Sequence, residues 1–235
     1  MNDYVPAIAL ALLALAVLVI TWVIRSARER KAARAREAAA LGFRPMAPAD
    51  PDVVGRIAAL HRRSPGHALD VRELWCQERG FQTLYLFDLV DRSAQDAGPT
   101  AERAIAVVSA ALHLPRFSLV PRIEGEGVLG ALGNLLLERF ATPAGEPLAF
   151  PSSPAFERRY TLAAADEQAA RRFFTTERLD GLAKTRFWMV EGENDTLTLH
   201  TLDLDLDRGR RKAPVLAERL RAAERAVALF ADGPP

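Results

Sequence analysis

The sequence predicts an α+β fold, in which an N-terminal transmembrane helix precedes a mainly antiparallel sheet with packed helices. Three observations support this prediction. Residues 5–24 carry no charged side chain and are long enough for one helical membrane crossing. Segments that alternate apolar and polar residues then follow one another as neighbouring hairpins, which favours antiparallel pairing. Segments with helical apolar spacing lie between these groups of strands rather than after every strand, which favours α+β over α/β.

The apolar N-terminal segment predicts a single crossing of a lipid bilayer, because about 20 helical residues cover about 30 Å of hydrocarbon. Trp22 and Tyr4 lie near its two ends, as interfacial aromatic anchors do. A cleaved signal peptide is disfavoured, since no Lys or Arg precedes the apolar run and Arg25 and Arg28 follow it closely.

Residues 25–37 hold six basic and two acidic side chains and predict the topology. The positive-inside rule places this segment in the cytoplasm, so we expect a single-pass protein of the inner membrane with its N-terminus outside and its C-terminal domain in the cytosol. Contact with anionic lipid would contribute about 1 kcal/mol of membrane-binding free energy for each basic residue near the surface. The predicted anchor and topology residues are Trp22, Arg25, Arg28, Arg30, Lys31, Arg34 and Arg36.

The chain therefore divides into a transmembrane helix with a short outside N-terminus (1–24), a basic juxtamembrane helix (25–43) and a single cytosolic α+β domain (44–235). The whole chain has 31 basic and 30 acidic residues, and setting aside residues 25–37 and Asp3 leaves 25 basic and 27 acidic ones. A domain of net charge −2 is a poor partner for nucleic acid, which requires many phosphate-neutralising side chains. Cys76 is the only cysteine, so no internal disulfide is expected.

The first half of the domain predicts a short helix followed by strands. Residues 50–63 place apolar side chains on one helical face, and Pro65 and Gly66 follow them. Residues 69–77 and 81–91 flank a turn and predict a hairpin. The second of these strands is apolar on both faces from Phe81 onward, which predicts a central position in the sheet. Residues 93–100 predict a loop, and residues 105–112 and 117–122 predict two more strands.

The second half predicts a helix over 125–140, an irregular proline-rich segment over 141–154 and a strand through Phe156, Tyr160 and Leu162. Asp166 is the expected N-cap of the next helix, which we expect to break near Thr175. Residues 186–191 and 196–201 then predict a hairpin across 192–195. The last helix is amphipathic, with its apolar positions spaced by three and four residues: Leu216, Leu220, Ala223, Val227 and Phe230.

The order of these segments resembles a group of uncharacterised bacterial single-pass membrane proteins with a cytosolic α+β domain. The likeness is carried by an N-terminal span, a basic helix and four short stretches, 40–43 (ALGF), 114–121 (LPRFSLVP), 156–162 (FERRYTL) and 190–192 (VEG), which are mostly packing residues. No activity is assigned to that group, so the resemblance implies an architecture and no function.

Segment 125–130 matches the dinucleotide-binding pattern G-x-G-x-x-G through Gly125, Gly127 and Gly130. The pattern requires a parallel strand after its helix, and the proline-rich residues 142–147 are unsuited to a buried parallel strand. We therefore expect no dinucleotide cofactor.

Two other patterns are candidate metal sites. Asp203, Asp205 and Asp207 alternate as in a calcium loop, but Arg208 stands where such a loop requires glycine, so a charged edge strand is the better interpretation. The four histidines have no metal-binding spacing, and no second cysteine exists to complete a zinc site. The sequence therefore predicts no catalytic, cofactor-binding or metal-binding residue.

These observations favour a membrane-tethered cytosolic interaction or scaffold module, with an unknown protein partner, over an enzyme. The alternative is an unrecognised membrane-associated enzyme or small-ligand-binding domain that uses the glycine-rich segment 125–133, which begins at Gly125 and ends at Gly133. The basic cluster at 208–212 predicts a solvated loop.

Overall fold

The computed structural model describes residues 4–61, 69–91, 100–122, 144–185, 189–200 and 216–231. The chain divides into two compact units, Met1–Phe43 and Arg44–Pro235. The first unit contains one long helix, α1 (Tyr4–Ala40), whose side chains are described at residues 15, 17–29 and 31–40. Among the described residues, no helix has the length and apolar character that a membrane crossing requires. The assignment of the two units to membrane and cytosol stays a prediction.

The second unit is built from short elements that follow closely on one another. Within the described residues they are, in chain order, β1 (Arg44–Pro45), α2 (Pro51–His61), β2 (Leu69–Arg79), β3 (Gln82–Asp91), β4 (Thr100–Ser109), β5 (Leu114–Pro121), β6 (Glu146–Leu148), α3 (Pro154–Arg159), β7 (Tyr160–Ala164), α4 (Glu167–Phe173), α5 (Thr176–Ala183), β8 (Met189–Asn194), β9 (Thr196–His200) and α6 (Leu216–Phe230).

The strands form one nine-stranded sheet in the order β1-β2-β3-β4-β9-β8-β5-β7-β6, and every neighbouring pair is antiparallel. The predicted α+β class with a mainly antiparallel sheet is therefore confirmed. The prediction that β3 is a central strand is also confirmed, because β3 lies between β2 and β4 and is buried over residues 84–90. The two edge strands, β1 and β6, are only two and three residues long.

The two faces of the sheet carry different layers. On one face Val53 and Ile57 of α2 pack with Phe87 and with Ala104 and Ala106 of β4. On the other face an aromatic cluster joins β5, α6 and the C-terminal end of α4, and its ring centroids lie 4.9–6.0 Å apart. The members of this aromatic cluster are Phe117, Phe173, Phe174 and Phe230.

Several local predictions are confirmed. Asp166 caps α4, because its side chain accepts a hydrogen bond from the amide of Ala169 at 2.9 Å. The predicted break at Thr175 separates α4 from α5, and Thr175 caps the second helix. The final helix buries Leu216 and Phe230 as its amphipathic pattern predicts.

Other local predictions are wrong. Phe156 lies in α3 rather than in a strand, since Pro154 occupies the first turn of a helix, where proline is well tolerated. Phe81 lies in the turn of the β2–β3 hairpin beside Gly80 (φ 58°), and its side chain is 88% exposed. Strand β5 begins at Leu114 instead of residue 117, and the segment predicted as irregular contains β6.

The predicted helix 125–140, the carboxylates at 203–207 and the basic cluster at 208–212 lie outside the described residues, as do residues 93–99 of the predicted loop.

Candidate functional site

The predicted anchor residues lie on α1. Trp22, Arg25, Arg28, Lys31, Arg34 and Arg36 are exposed there, whereas the side chain of Arg30 lies outside the description. Arg25 forms an ion pair with Glu29 one turn later, with its Nε 2.9 Å from Oε1. Both of these side chains are largely exposed, so the pair adds little to stability.

Helix α1 also exposes large apolar side chains on the N-terminal side of the basic residues. Their exposed fractions range from 47% to 68%. Successive helical residues point about 100° apart, so seven such residues within positions 17–24 cover the whole circumference of the helix. The exposed residues are Leu15, Val17, Leu18, Val19, Ile20, Trp22, Val23 and Ile24.

A second candidate site lies inside the sheet domain, where His61, Glu191 and His200 form what we call the His–Glu–His cluster. Their side chains are 0–2% exposed. Oε2 of Glu191 lies 2.6 Å from Nδ1 of His61 and 3.3 Å from Nε2 of His200. One donor atom from each residue lies within 4.8 Å of the others. Both imidazoles therefore converge on the same carboxylate oxygen.

Three different elements position this cluster. His61 is the last residue of α2, which packs against both β8 and β9. In the β8–β9 hairpin Met189 pairs with His200, which places Glu191 two residues along the same face of β8. Glu191 and His200 are thus diagonal neighbours, a spacing that long side chains bridge. The rings of His61 and His200 meet edge to face, with centroids 4.3 Å apart.

Polar contacts hold α2 against the same hairpin. Arg56 forms an ion pair with Asp195 in the hairpin turn, with a closest distance of 3.1 Å. Nη2 of Arg116 donates to the carbonyl of Leu60 at 2.9 Å, and Nη1 lies 3.3 Å from a carboxylate oxygen of Glu193. Arg116 thereby satisfies a carbonyl at the C-terminal end of α2, where a cation is favoured by the helix dipole.

Phe87 and Ser118 lie beside the cluster. Phe87 contacts the ring of His61, with centroids 6.1 Å apart. Ser118 on β5 pairs with Glu191, so its side chain lies on the same face of the sheet. Ser118 is 0% exposed, and its hydroxyl has no hydrogen-bond partner among the described residues. An unsatisfied buried hydroxyl beside a buried carboxylate marks a polar interior position in need of a further partner.

A buried carboxylate between two imidazoles has two chemical uses. Burying an isolated carboxylate is expensive, so a buried carboxyl group is either protonated or accompanied by a positive charge. One possibility is a proton held on an imidazole, which would give a hydrogen-bonded ion pair. The other is a divalent metal ion, for which two imidazole nitrogens and a carboxylate oxygen are an ordinary ligand set.

Burial also affects Tyr85, which lies on the same face as α2. Removal from water disfavours its phenolate and raises the pKa of the hydroxyl, and the neighbouring Cys76 acts in the same direction. Tyr85 is therefore a neutral packing residue rather than an acid poised near neutral pH.

The His–Glu–His cluster was not predicted from sequence, because the histidines show no metal-binding spacing along the chain. His61 and His200 are far apart in sequence, and only the fold brings them together. A partial signal was present in the strands: Glu191 follows the apolar pair Met189 and Val190, and His200 follows Leu199, so each ionisable residue lies where burial would call for a specific partner. His113, by contrast, is exposed in the β4–β5 connection.

The glycine-rich segment 125–133, which the alternative prediction assigns to ligand binding, lies outside the described residues. The predicted motif residues Gly125, Gly127 and Gly130 are therefore not described.

Comparison of the chain with protein-family models, with curated proteins and with solved structures gives no match. The likeness to single-pass bacterial membrane proteins thus stays a prediction from sequence.

Proposed function

We propose that this chain is a membrane-tethered interaction module, in which α1 anchors the sheet domain to the inner membrane and the domain binds a partner located there. The exposure of the apolar residues on α1 carries this proposal. A helix that is apolar on all sides belongs either in a protein core or in lipid. The described side chains from Leu15 to Ile24 lie in neither a core nor an amphipathic interface with a polar side.

The charge pattern supports the same proposal. No charged residue occurs between Tyr4 and Ile24, and the basic residues begin immediately afterwards on the same helix. Lipid would cover the apolar part, and the basic part would remain in the cytoplasm beside anionic headgroups. Confinement of the domain to the membrane surface would raise its effective concentration for a partner held at the same surface.

Membrane fractionation of the full chain tests the anchor. We expect the wild-type protein in the membrane pellet, resistant to high salt and to alkaline carbonate washing. Leu15→Arg combined with Leu18→Arg should move a large part of it to the soluble fraction, since each central arginine costs about 2.5–3.5 kcal/mol on insertion. Ala32→Arg combined with Ala33→Arg adds the same two charges to the basic part of α1 and should leave the distribution unchanged.

A wild-type chain that remains in the soluble fraction would refute the anchor. The interaction role needs a separate measurement, in which the wild type and the double arginine variant are compared by affinity capture from crosslinked cells. Tethering predicts a reproducible partner whose recovery falls when the anchor is disabled, provided that the variant domain remains folded. Equal recovery from both forms would count against tethering.

A further inference from the structure

We propose that the His–Glu–His cluster is a metal centre that binds one divalent transition-metal ion, for which zinc is the best chemical fit. The ligands are Nδ1 of His61, Oε2 of Glu191 and Nε2 of His200. The inference is independent of the membrane proposal, because it concerns only the interior of the sheet domain.

The grouping of three buried ligand atoms is the first observation. The side chains of His61, Glu191 and His200 are 0–2% exposed, and one nitrogen or oxygen atom of each lies within 4.8 Å of the others. Oε2 of Glu191 lies 2.6 Å from Nδ1 of His61 and 3.3 Å from Nε2 of His200. A single metal ion placed among these atoms would bind all three residues.

The dimensions of the cluster are close to those of a zinc site. Zinc bound to nitrogen and oxygen at about 2.0–2.2 Å in tetrahedral geometry places its ligand atoms about 3.3 Å apart. The contact between His200 and Glu191 already has this length, and the donor atoms of all three residues lie within 4.8 Å. The 2.6 Å between His61 and Glu191 is a hydrogen-bond length, so rotations of these two side chains would have to lengthen it to complete the site.

The ligand types select the metal. Two imidazoles and one carboxylate suit zinc and other first-row transition metals, whereas calcium and magnesium prefer oxygen ligands throughout. Charge also fits, because a divalent ion neutralises the buried carboxylate of Glu191 without protonation of either imidazole. Arg116, which contacts the end of α2, forms an ion pair with Glu193.

The buried hydroxyl of Ser118 is the second, independent observation. It lies opposite Glu191 on the same face of the sheet and has no hydrogen-bond partner among the described residues. Three protein ligands leave a fourth tetrahedral position, which is usually filled by water. A metal-bound water would offer Ser118 the partner that it needs. The metal would also join the end of α2 to the β8–β9 hairpin.

The test uses the full chain produced in medium supplemented with zinc or, in parallel, with cobalt. Because the ligands are fully buried, the metal should enter during folding and remain bound through purification. We expect one equivalent of metal per chain and, for cobalt, the visible absorption of a four- or five-coordinate ion. Glu191→Gln and His200→Gln should each lower the metal content by more than about tenfold, because loss of a mere supporting residue already costs that much.

His113→Gln is the matched control and should retain one equivalent, because His113 is exposed and lies outside the cluster. Zinc X-ray absorption of the wild type gives a readout that needs no variant, and we expect nitrogen and oxygen ligands with the scattering pattern of two imidazoles. A metal-free wild type in both media would overturn the proposal and leave a proton-sharing network in its place. Unchanged metal content in the two cluster variants, or sulfur in the zinc shell, would overturn it equally.

Discussion

At the scale of single residues, the close approach between Gly192 and Phe117 explains why a glycine stands inside β8. A side-chain carbon built on Gly192 would lie 2.5 Å from Cε1 of Phe117 and 2.9 Å from Cδ1 of Leu114. Phe117 cannot move aside easily, because it is fully buried and contacts Phe174 and Phe230. The position therefore requires the absence of a side chain rather than an unusual backbone.

Gly192→Ala should accordingly destabilise the domain by about 1–3 kcal/mol, the usual cost of overpacking a core. Gly55→Ala is the matched control, since a side chain there meets nothing within 4 Å and Gly55 lies inside α2. That change should stabilise the domain by about 0.5–1 kcal/mol, because alanine is the better helix former. Denaturant unfolding followed by tryptophan fluorescence measures the free energy of unfolding of both variants. Equal changes in the two variants would contradict the packing argument.

Residue identities of this kind could be predicted only in part from sequence. Val53, Ile57 and Leu60 were expected on the buried face of α2, and all three are buried. The burial of His61 on the same helix was not expected, because its partner Glu191 lies on a strand 130 positions later in the numbering. Local spacing reports which face of an element is apolar, but it does not report which distant side chain meets that face.

At the scale of secondary-structure elements, α6 shows how an amphipathic pattern is converted into packing. Its last residue, Phe230, is fully buried and contacts Phe117, Phe173 and Phe174. Arg219 near the start of the helix is also buried and donates to the carbonyl of Arg103 in β4 at 2.9 Å. The helix is therefore held to the sheet both by an aromatic anchor and by a hydrogen bond to the backbone.

Phe230→Ala should cost about 3–5 kcal/mol of unfolding free energy, since it removes a fully buried aromatic ring and leaves a cavity. The control is Phe81→Ala, which removes the same ring from a position that is 88% exposed and should change stability by less than about 0.5 kcal/mol. Thermal and denaturant unfolding provide the comparison. A similar loss for both variants would show that the aromatic cluster does not stabilise α6.

Elements in which apolar residues recur at regular spacing were predictable from sequence, and very short elements were not. The hairpins, α2, α4 and α6 follow from their apolar spacing and caps. The assignment of Phe156 to a strand failed because six helical residues are too few to show a period against the strand that follows them. Strand β6 was missed since its three residues include Pro147, which is tolerated at the edge of a sheet.

At the scale of the whole molecule, the proposed anchor predicts one orientation of the chain. The basic residues after the apolar run would hold the C-terminal domain in the cytoplasm. A fluorescent protein fused after Pro235 should therefore fluoresce, and a phosphatase that requires export should be inactive at the same position. The reverse pattern in the wild type would refute the predicted topology.

Changing the basic residues should change this orientation. Replacement of Arg25, Arg28, Lys31 and Arg34 by Gln, together with Asn2→Lys and Asp3→Lys, moves the positive charge to the other end of the apolar run. We expect a large fraction of these chains to export the phosphatase. The control removes four exposed arginines of the sheet domain and should leave the orientation unchanged: Arg72, Arg158, Arg172 and Arg221, each replaced by Gln.

The order of strands across the sheet could not be predicted from sequence, although the fold class could. Adjacent hairpins give β2–β3 and β8–β9, but the insertion of β9 and β8 between β4 and β5 depends on pairings between distant segments. The same insertion places Glu191 beside Ser118 of β5 and beneath α2. The His–Glu–His cluster is thus a product of topology, and no motif search along the chain would have found it.

The brevity of the two outermost strands has a consequence if α1 anchors the chain as proposed. Copies confined to one membrane plane would collide often, and long backbone edges without hydrogen-bond partners would let them pair into ribbons. Here β1 offers two residues and β6 three, one of them a proline in each case. These short edges leave few backbone hydrogen-bonding groups with which a neighbouring copy could pair. Separate molecules are therefore favoured over fibrous assemblies.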